Sequence, residues 1–457
     1  MVNFWYIPAT MFSTAASHSP PAEASGAARS TGVAIPAEKR KSLRTSTHWL
    51  YLAVIVVLVI IIVYLVGRMV RIGDFAKSIR KRYGLFGAIR ASTARPSPLR
   101  DLSSEQLLAE RTFDQYRNEF NQVIDRAFAL GDFDDRRNIP TANNTGRSAG
   151  GQAAGPTRAN STLQAACHQA LKGGKRLRPI ILMEIARMVS RRRFEREQMI
   201  PVDPADAAIA VECFHASSLI IDDLPAFDND RERRGEPSVW AATSQATALM
   251  AAIAVIAGAF QNVCRQVDWI RENCPEWINA DKIGTLLCSQ ISSSLGVLGA
   301  ASGQFMDMLP PNQLSQFVNG PPPATETTPS TTYAQRSAVQ TLVQRKTSPF
   351  FEMTFVCGWL VGGGDSADET IAELRRAGRD FGTAFQIADD IGDLEQDRAR
   401  REAGKPGWNY ADIYGEEQAE LELFRRLNAC RSTLRKFGLF TPLWQEIYGK
   451  VVKMAVS

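Results

Sequence analysis

Between His215 and Trp240 the chain reads HASSLIIDDLPAFDNDRERRGEPSVW: an apolar run that ends in Asp222, Asp223, Asp228 and Asp230, with Arg231, Arg233 and Arg234 straight after. Setting several carboxylates against an apolar segment costs free energy through desolvation and mutual repulsion, unless a cation neutralises them. Hard divalent cations such as Mg²⁺ take oxygen ligands, keep several waters, and share a phosphate-bearing substrate with one or two carboxylates. Guanidinium forks match phosphate oxygens, so the adjoining arginines fit the same use. A solvated acidic–basic helix end is the competing reading, and this cluster alone does not decide. Pro225 is expected to interrupt the helix, so that Asp222 and Asp223 finish a turn and Asp228 returns from a bulge.

A second cluster, FQIADDIGDLEQD, runs from Phe385 to Asp397. Asp389 and Asp393 are i,i+4 on a helix and share a face, with Asp397 one turn on and Asp390 beside them. Like charges on one face destabilise a helix, so this arrangement also asks for a cation. The two clusters are expected to face each other across a bundle cavity and to hold Mg²⁺ ions that grip a diphosphate. Two basic signals accompany them. GGKRLRP at 173–179 puts two glycines beside Lys175, Arg176 and Arg178, where backbone and cations can close on an anion. Lys346-Thr347 follows in QRKTSPFF, preceded by Gly303-Gln304 in SGQFMD.

Composition decides where the remaining charge matters. The net charge of +5 conceals an imbalance: residues 1–100 hold 14 Lys/Arg and 3 Asp/Glu, the remainder 39 and 45. The basic excess belongs to the N-terminal extension and argues for a membrane surface, with no nucleic acid as partner. Seven cysteines are scattered singly without a CxxC pair, which reads as reduced thiols, and four histidines without HExxH leave no zinc site. Residues 1–47 read as a disordered tail. Residues 48–68 read as a single transmembrane helix built on WLYLAVIVVLVIIIVYLVG (49–67), uncharged, with Trp49, Tyr51 and Tyr64 near its ends. More basic residues follow it than precede it, so the C-terminal part is expected in the cytoplasm. Residues 69–100 form a basic juxtamembrane linker. An amphipathic helix with a Ser103/Gln106 capping box is expected over 103–129, loops over 131–161 and 310–332, and a turn at 362–368. Helical patterns dominate the rest, so residues 101–457 are expected to be one all-α domain.

In that order and spacing, GGKRLRP, ECFHASSLIIDDLPAFDNDRERRG, RKT and FQIADDIGDLEQD resemble the trans-isoprenyl diphosphate synthases, the family of the farnesyl and geranylgeranyl diphosphate synthases. The resemblance covers about residues 100–415. It implies a large helical bundle around a central cavity, a homodimer, and condensation of an allylic diphosphate with isopentenyl diphosphate. Carried over, Asp222, Asp223 and Asp228 form the first aspartate-rich motif, and Asp389, Asp390 and Asp393 the second, together holding about three Mg²⁺. Lys175, Arg178 and His215 take isopentenyl diphosphate. Arg233 contacts the allylic diphosphate and Arg234 the isopentenyl one, while Lys346, Thr347 and Gln386 line the allylic site. Ser217 and Ser218, where bulky aromatics close the cavity at fifteen carbons in the family, leave room for a geranylgeranyl or longer product.

The chemistry accounts for the residue types. Ionising an allylic C–O bond puts growing charge on a diphosphate, where metals and fixed cations outperform water. The carbocation needs a dry apolar cavity, and no side-chain nucleophile is required. Five departures from the family pattern stand out: Ile221 before the first aspartates, Glu236 and Trp240 in the RRG segment, and Ala252-Ile253 where a Gly-Asp is usual. They motivate a second reading, a noncatalytic partner of an active synthase. A third, another class I terpenoid synthase, fits less well because such enzymes need no isopentenyl site.

Overall fold

The computed structural model describes residues 102–127, 158–276, 278–319, 331–402 and 407–456. The expected tail, transmembrane helix and juxtamembrane linker lie outside the described residues. So do residues 131–157 and 320–330 of the two expected loops.

The described residues are almost wholly helical; their only strands are two-residue arms of one hairpin, Glu232–Arg233 (β1) and Glu236–Pro237 (β2). The helix expected over 103–129 is two helices, Ser104–Leu108 (α1) and Phe113–Ala127 (α2). The Ser103/Gln106 capping box forms, but the start of α2 is capped again: Thr112 N donates to Gln115 Oε1 at 2.8 Å and Gln115 N to Thr112 Oγ1 at 3.3 Å. Arg111 satisfies the interrupted carbonyls, donating to Gln106 O and Ala109 O. Next come Arg158–Leu171 (α3), Leu177–Glu197 (α4) and Ala205–Asp222 (α5). Beyond the hairpin lie Val239–Ala242 (α6), Gln245–Asn273 (α7), Ala280–Leu295 (α8) and Ala300–Asp307 (α9). Part of the loop expected at 310–332 is a helix, Pro311–Asn319 (α10), because a proline at a first helical position costs no hydrogen bond. Thr331–Lys346 (α11), Ser348–Val361 (α12), Asp368–Gly392 (α13) and Leu394–Glu402 (α14) follow. Tyr410–Tyr414 (α15), Glu416–Lys436 (α16) and Pro442–Met454 (α17) complete the series.

Burial sorts these helices. Along α12 every residue but Glu352 is buried, and α5 is buried from Ala205 to Phe214 without a break. A helix apolar all round belongs in the middle of a bundle. Accordingly α12 packs against α4, α8 and α13, while α5 lies along α7 and α4. α13 shows the one-sided pattern of a surface helix, with α12 on one flank and α16 on the other. Among the described residues two stretches, Gln245–Asn273 and Ala280–Asp307, match a membrane span in length and hydropathy; 50% of the first and 39% of the second, over their most apolar 18 residues, is buried in the bundle. A buried knot ties the N-terminal helices to the C-terminal one. Glu184 accepts from Tyr116 Oη at 2.9 Å, Thr441 Oγ1 at 2.7 Å and the guanidinium of Arg187 at 2.7 and 2.8 Å. Such a buried charge is tolerable because every lone pair has a donor.

Candidate active site

The first aspartates sit where α5 runs out. Its last helical residue is Asp222, Asp223 caps it, and Pro225 lies in the turn that follows. The chain doubles back as expected: Asp228 N donates to Asp222 O at 2.9 Å, and Asn229 turns with φ 55°. Asp222 is half-buried, and burial pushes its carboxyl up to about 7, against the pull of Lys346 and with further lift from Asp228 and Asp307. Asp228 is raised for the same reasons, burial foremost, although one side of it is open to solvent. Asp223 points another way. It is 3% exposed, and its Oδ1 takes both the Nε of Arg233, at 2.9 Å, and its Nη2.

Across the bundle, α13 ends at Gly392 with Asp393 as its cap. Asp389 is half-buried and Asp393 exposed, and burial followed by the charge of Asp393 raises the Asp389 carboxyl while Lys175 and Arg178 pull it down. Asp390 departs from the expected ligand set. It is buried, and its two carboxyl oxygens accept from Gln386 Nε2 at 2.8 Å and from the backbone N–H of Tyr410 at 2.7 Å. Burial lifts it to about 7, with those two bonds opposing. On a helix, residues 389 and 390 point about 100° apart, so one faces the basic loop and the other the bundle wall.

Two bridges join the clusters. On one side, Lys346 Nζ lies 2.5 Å from Asp307 Oδ2, and Asp307, Asp222 and Asp228 together hold the ammonium charged against its burial. Its neighbour Thr347 donates to Gln386 Oε1 at 2.5 Å, and Gln386 reaches Asp390. Close approach of α9 and α11 makes this possible: a Cβ on Gly303 would lie 2.3 Å from the Arg345 carbonyl carbon. On the other side, Arg178 Nη1 lies 3.2 Å from His215 Nε2 on α5, and its guanidinium stacks 4.6 Å from the Phe351 ring centroid. Burial pulls Arg178 down to about 10, which leaves it charged. Burial and the surrounding arginines hold His215 far below the ordinary imidazole range, so it is neutral. Arg178 Nε is buried with no protein partner.

The basic loop is preset. Gly173, Gly174 and Arg176 have φ of 69°, 98° and 54°, a conformation that glycine adopts freely. Arg234 lies against this loop, its Nη1 donating to the carbonyls of Lys172 and Gly173 at 3.0 and 3.1 Å. A Cβ on Gly174 would stand 2.7 Å from the Arg234 guanidinium carbon. Arg234 thus joins Lys175, Arg178 and His215, while Arg233 stays with Asp223 and Asp230. Arg176, one of the cations read as closing on an anion, turns inward. It is 3% exposed and pairs with Glu212 at 2.6 Å and with Asn121.

Ser217 and Ser218 fold their hydroxyls back onto α5, donating to Phe214 O at 2.8 Å and His215 O at 2.9 Å. One turn below, Phe214 meets Phe260 of α7 edge-on at 5.3 Å. Among the departures, Trp240 Nε1 donates to Asp230 O at 2.8 Å under the Arg231 guanidinium. Glu236 is exposed in the hairpin, Ala252 is buried, and Ile221 and Ile253 are half-buried. Asp307 was not anticipated as a site residue; its signal is its place three residues after Gln304, in the same SGQFMD stretch. No preassembled group of three His, Cys, Asp or Glu poised for a metal occurs among the described residues. The donor set nevertheless suits a hard cation, since Asp222, Asp228 and Asp389 are oxygen donors whose charge the protein leaves short of compensation.

The helical bundle that carries these two aspartate sets is an isoprenoid synthase-like fold, shared with solved structures. An FPP/GFPP synthase from Zymomonas mobilis superposes with a TM-score of 0.51 at 23% identity, over 75% of this chain and 98% of that one. A geranyltransferase from Legionella pneumophila gives 0.51 at 21%, over 76% and 97%. In sequence, residues 160–413 match the polyprenyl synthetase family model. A trans-prenyltransferase of African swine fever virus (strain Badajoz 1971 Vero-adapted) is 34% identical over 410 residues, 90% of this chain and 99% of its own. Farnesyl diphosphate synthase of Escherichia coli (strain K12) is 28% identical over 278 residues, 59% and 80%. The chain belongs to the polyprenyl synthetase family of trans-isoprenyl diphosphate synthases and is a trans-prenyltransferase.

Proposed function

We propose that this prenyltransferase condenses an allylic diphosphate with isopentenyl diphosphate, with Mg²⁺, to give a geranylgeranyl or longer all-trans diphosphate, and that it does so at a membrane. The observation that carries the reaction is the pair of bridges: each aspartate set has its own cations, and the basic residues fall into two groups. Lys346, Thr347 and Gln386 border Asp222 and Asp390 and suit the allylic diphosphate. Lys175, Arg178, His215 and Arg234 gather at the preset loop and suit the second diphosphate. Asp222, Asp228, Asp389 and Asp393 would hold magnesium, which when bound supplies charge for the departing diphosphate.

Atoms balance without a protein nucleophile. The allylic C–O bond breaks, the isopentenyl alkene bonds to C1, and a proton leaves for the released diphosphate. The protein's share is orientation and exclusion of water. Arg178 and Lys175 offer charged donors to phosphate oxygens. His215, being neutral and an acceptor toward Arg178, holds that guanidinium at its post. The longer product is favoured by the small side chains of Ser217 and Ser218, whose hydroxyls turn back onto their own helix one turn from Phe214.

The membrane reading rests on the uncharged run 49–67 with its flanking aromatics and basic residues, which also favours a cytoplasmic catalytic part. The viral relative matches 90% of the chain, leaving about 46 residues unmatched, so the shared length reaches this run. A homodimer is carried over from the family resemblance, and sedimentation of the purified chain tests it.

Incubating the full chain with Mg²⁺, labelled isopentenyl diphosphate and each allylic primer, then reading product lengths, tests the reaction. Twenty-carbon or longer products, lost in Asp222→Ala and Asp389→Ala, are expected. Activity that arises only after a second synthase is added would put a noncatalytic partner subunit in its place. Alkaline extraction of expressing cells tests the anchor: the full chain stays with the membranes, and a chain lacking residues 1–68 does not.

A further inference from the structure

Asn409 lies outside every motif that suggested the function, yet it is 0% exposed and uses both ends of its amide. Its Nδ2 donates to Asp390 O at 2.6 Å and to Asp397 Oδ2 at 3.0 Å, while its Oδ1 accepts from Asp412 N at 3.1 Å. The next residue, Tyr410, gives its backbone N–H to the Asp390 carboxylate at 2.7 Å. One dipeptide therefore grips the backbone and the side chain of Asp390, and the helical turn beyond it. Asp390 is flanked by Asp389, and Asp393 caps the same helix.

The C-terminus of a helix is a poor place for carboxylates. The last carbonyls carry partial negative charge, and like charges one turn apart repel. Asp389, Asp393 and Asp397 stack at that spacing across the end of α13 and the start of α14. Left to itself this turn would fray and spread the carboxylates. Donors are what it lacks, and the Asn409 amide supplies two, one to a terminal carbonyl and one to the outermost carboxylate. Asparagine is suited to this because the same side chain must also accept, as the cap of α15. Serine or threonine would cap but donate once; aspartate would cap but donate nothing and add a charge.

We infer that Asn409 is a positioning residue for the second aspartate set: it holds the end of α13 so that Asp389 and Asp393 present their carboxylates together to a metal-bound diphosphate. The inference rests on the reading of Asp389 and Asp393 given above. Partners one step behind metal-binding carboxylates commonly cost about 10–100-fold in metal affinity or activity when removed.

The test uses the full chain with Asn409→Ser, Asn409→Ala and Asp389→Ala beside the parent. Mn²⁺ binding in the presence of inorganic diphosphate is followed by electron paramagnetic resonance, and kcat and both KM values are measured at graded Mg²⁺. Asn409→Ala is expected to weaken Mn²⁺ binding and lower kcat per folded molecule by about 10–100-fold, with KM for isopentenyl diphosphate within about twofold. Asn409→Ser, which retains the cap and one donor, falls between. Should Asn409→Ala not fold, Asn409→Ser carries the test alone. Parental Mn²⁺ binding and Mg²⁺ dependence in folded Asn409→Ser, while Asp389→Ala is inactive, would overturn the inference and leave the proposed function standing. Full activity in Asp389→Ala would overturn the proposed function instead.

Discussion

Arg178 reaches His215 across 3.2 Å, guanidinium Nη1 to imidazole Nε2, and the imidazole is the acceptor. Burial first, and then the charges of Arg178, Arg234, Arg176 and Arg233, disfavour a protonated histidine there, which is why it stays neutral. Under the proposed function, the cost of removing it should fall on isopentenyl diphosphate, the substrate assigned to Arg178. His215→Ala is expected to raise KM for isopentenyl diphosphate about 10-fold or more, in line with a lost bond to a charged group. Its KM for the allylic substrate should stay near the parental value. Steady-state kinetics with each substrate varied in turn decide it; a rise confined to the allylic KM would contradict the assignment.

Asp389 and Asp390 are neighbours in sequence and should behave oppositely. Asp389→Asn removes a carboxyl that burial and Asp393 destabilise, so the metal-free protein should melt at the same temperature or higher, with activity down about 100–1000-fold. Asp390→Asn relieves a raised carboxyl too, but an amide has one accepting oxygen, so either Gln386 Nε2 or the Tyr410 N–H is left unpaired in a buried place; the melting temperature should fall, with a smaller catalytic loss. Paired melting curves and turnover numbers separate the two.

The raised carboxyls predict a pH dependence. Burial pushes the Asp222 and Asp390 carboxyls up to about 7 in the folded protein, against about 3.9 for an aspartate in an unfolded chain. Between those values the folded state binds more protons, so stability without metal falls as pH rises and levels off above about 7. A drop of roughly 5–10 °C in melting temperature from pH 5 to pH 7.5 is expected. Because a proton competes with a metal for Asp222, added Mg²⁺ with diphosphate should stabilise most at the upper end. Calorimetric scans with and without Mg²⁺ would show it; a metal-free Tm that climbs over this range would refute it.

Ser217 is 4% exposed and sits one turn and a little more before Asp222. Ser217→Phe adds a ring near the Phe214–Phe260 contact, which should shorten the product toward fifteen carbons. Chromatography of the dephosphorylated products reads this directly, and unchanged lengths would remove Ser217 from the account.

Much of this is legible in the amino-acid sequence. The helix break at Pro225 and the return of Asp228 follow from proline's missing N–H, and both occur. The all-α class followed from periodicity. What escaped was pairing at a distance. A single hydrophobic pattern over 103–129 hid the break between α1 and α2, although Thr112 and Gln115 spell a second cap. The proline-rich look of 310–332 hid α10. Asp390 and Arg176 read as site residues because each lies beside other candidates; the helix's angular step turns Asp390 inward to Tyr410, and the left-handed backbone at Arg176 turns that side chain to Glu212. Asp307 and Asn409 act through space, on Lys346 and Asp390, and one-dimensional spacing does not show such partners.

One helix, α5, carries His215, Ser217, Ser218 and Asp222 within eight residues. Five residues of helical rise, about 7.5 Å, separate Ser217 from Asp222. Under the proposed function, measuring stick and clamp are cut from a single rod, and the rod is wedged along α7 and α4. Heat or mild denaturant that loosens the surrounding helices shifts both marks together. Such an enzyme should slow down well before it begins to miscount carbons.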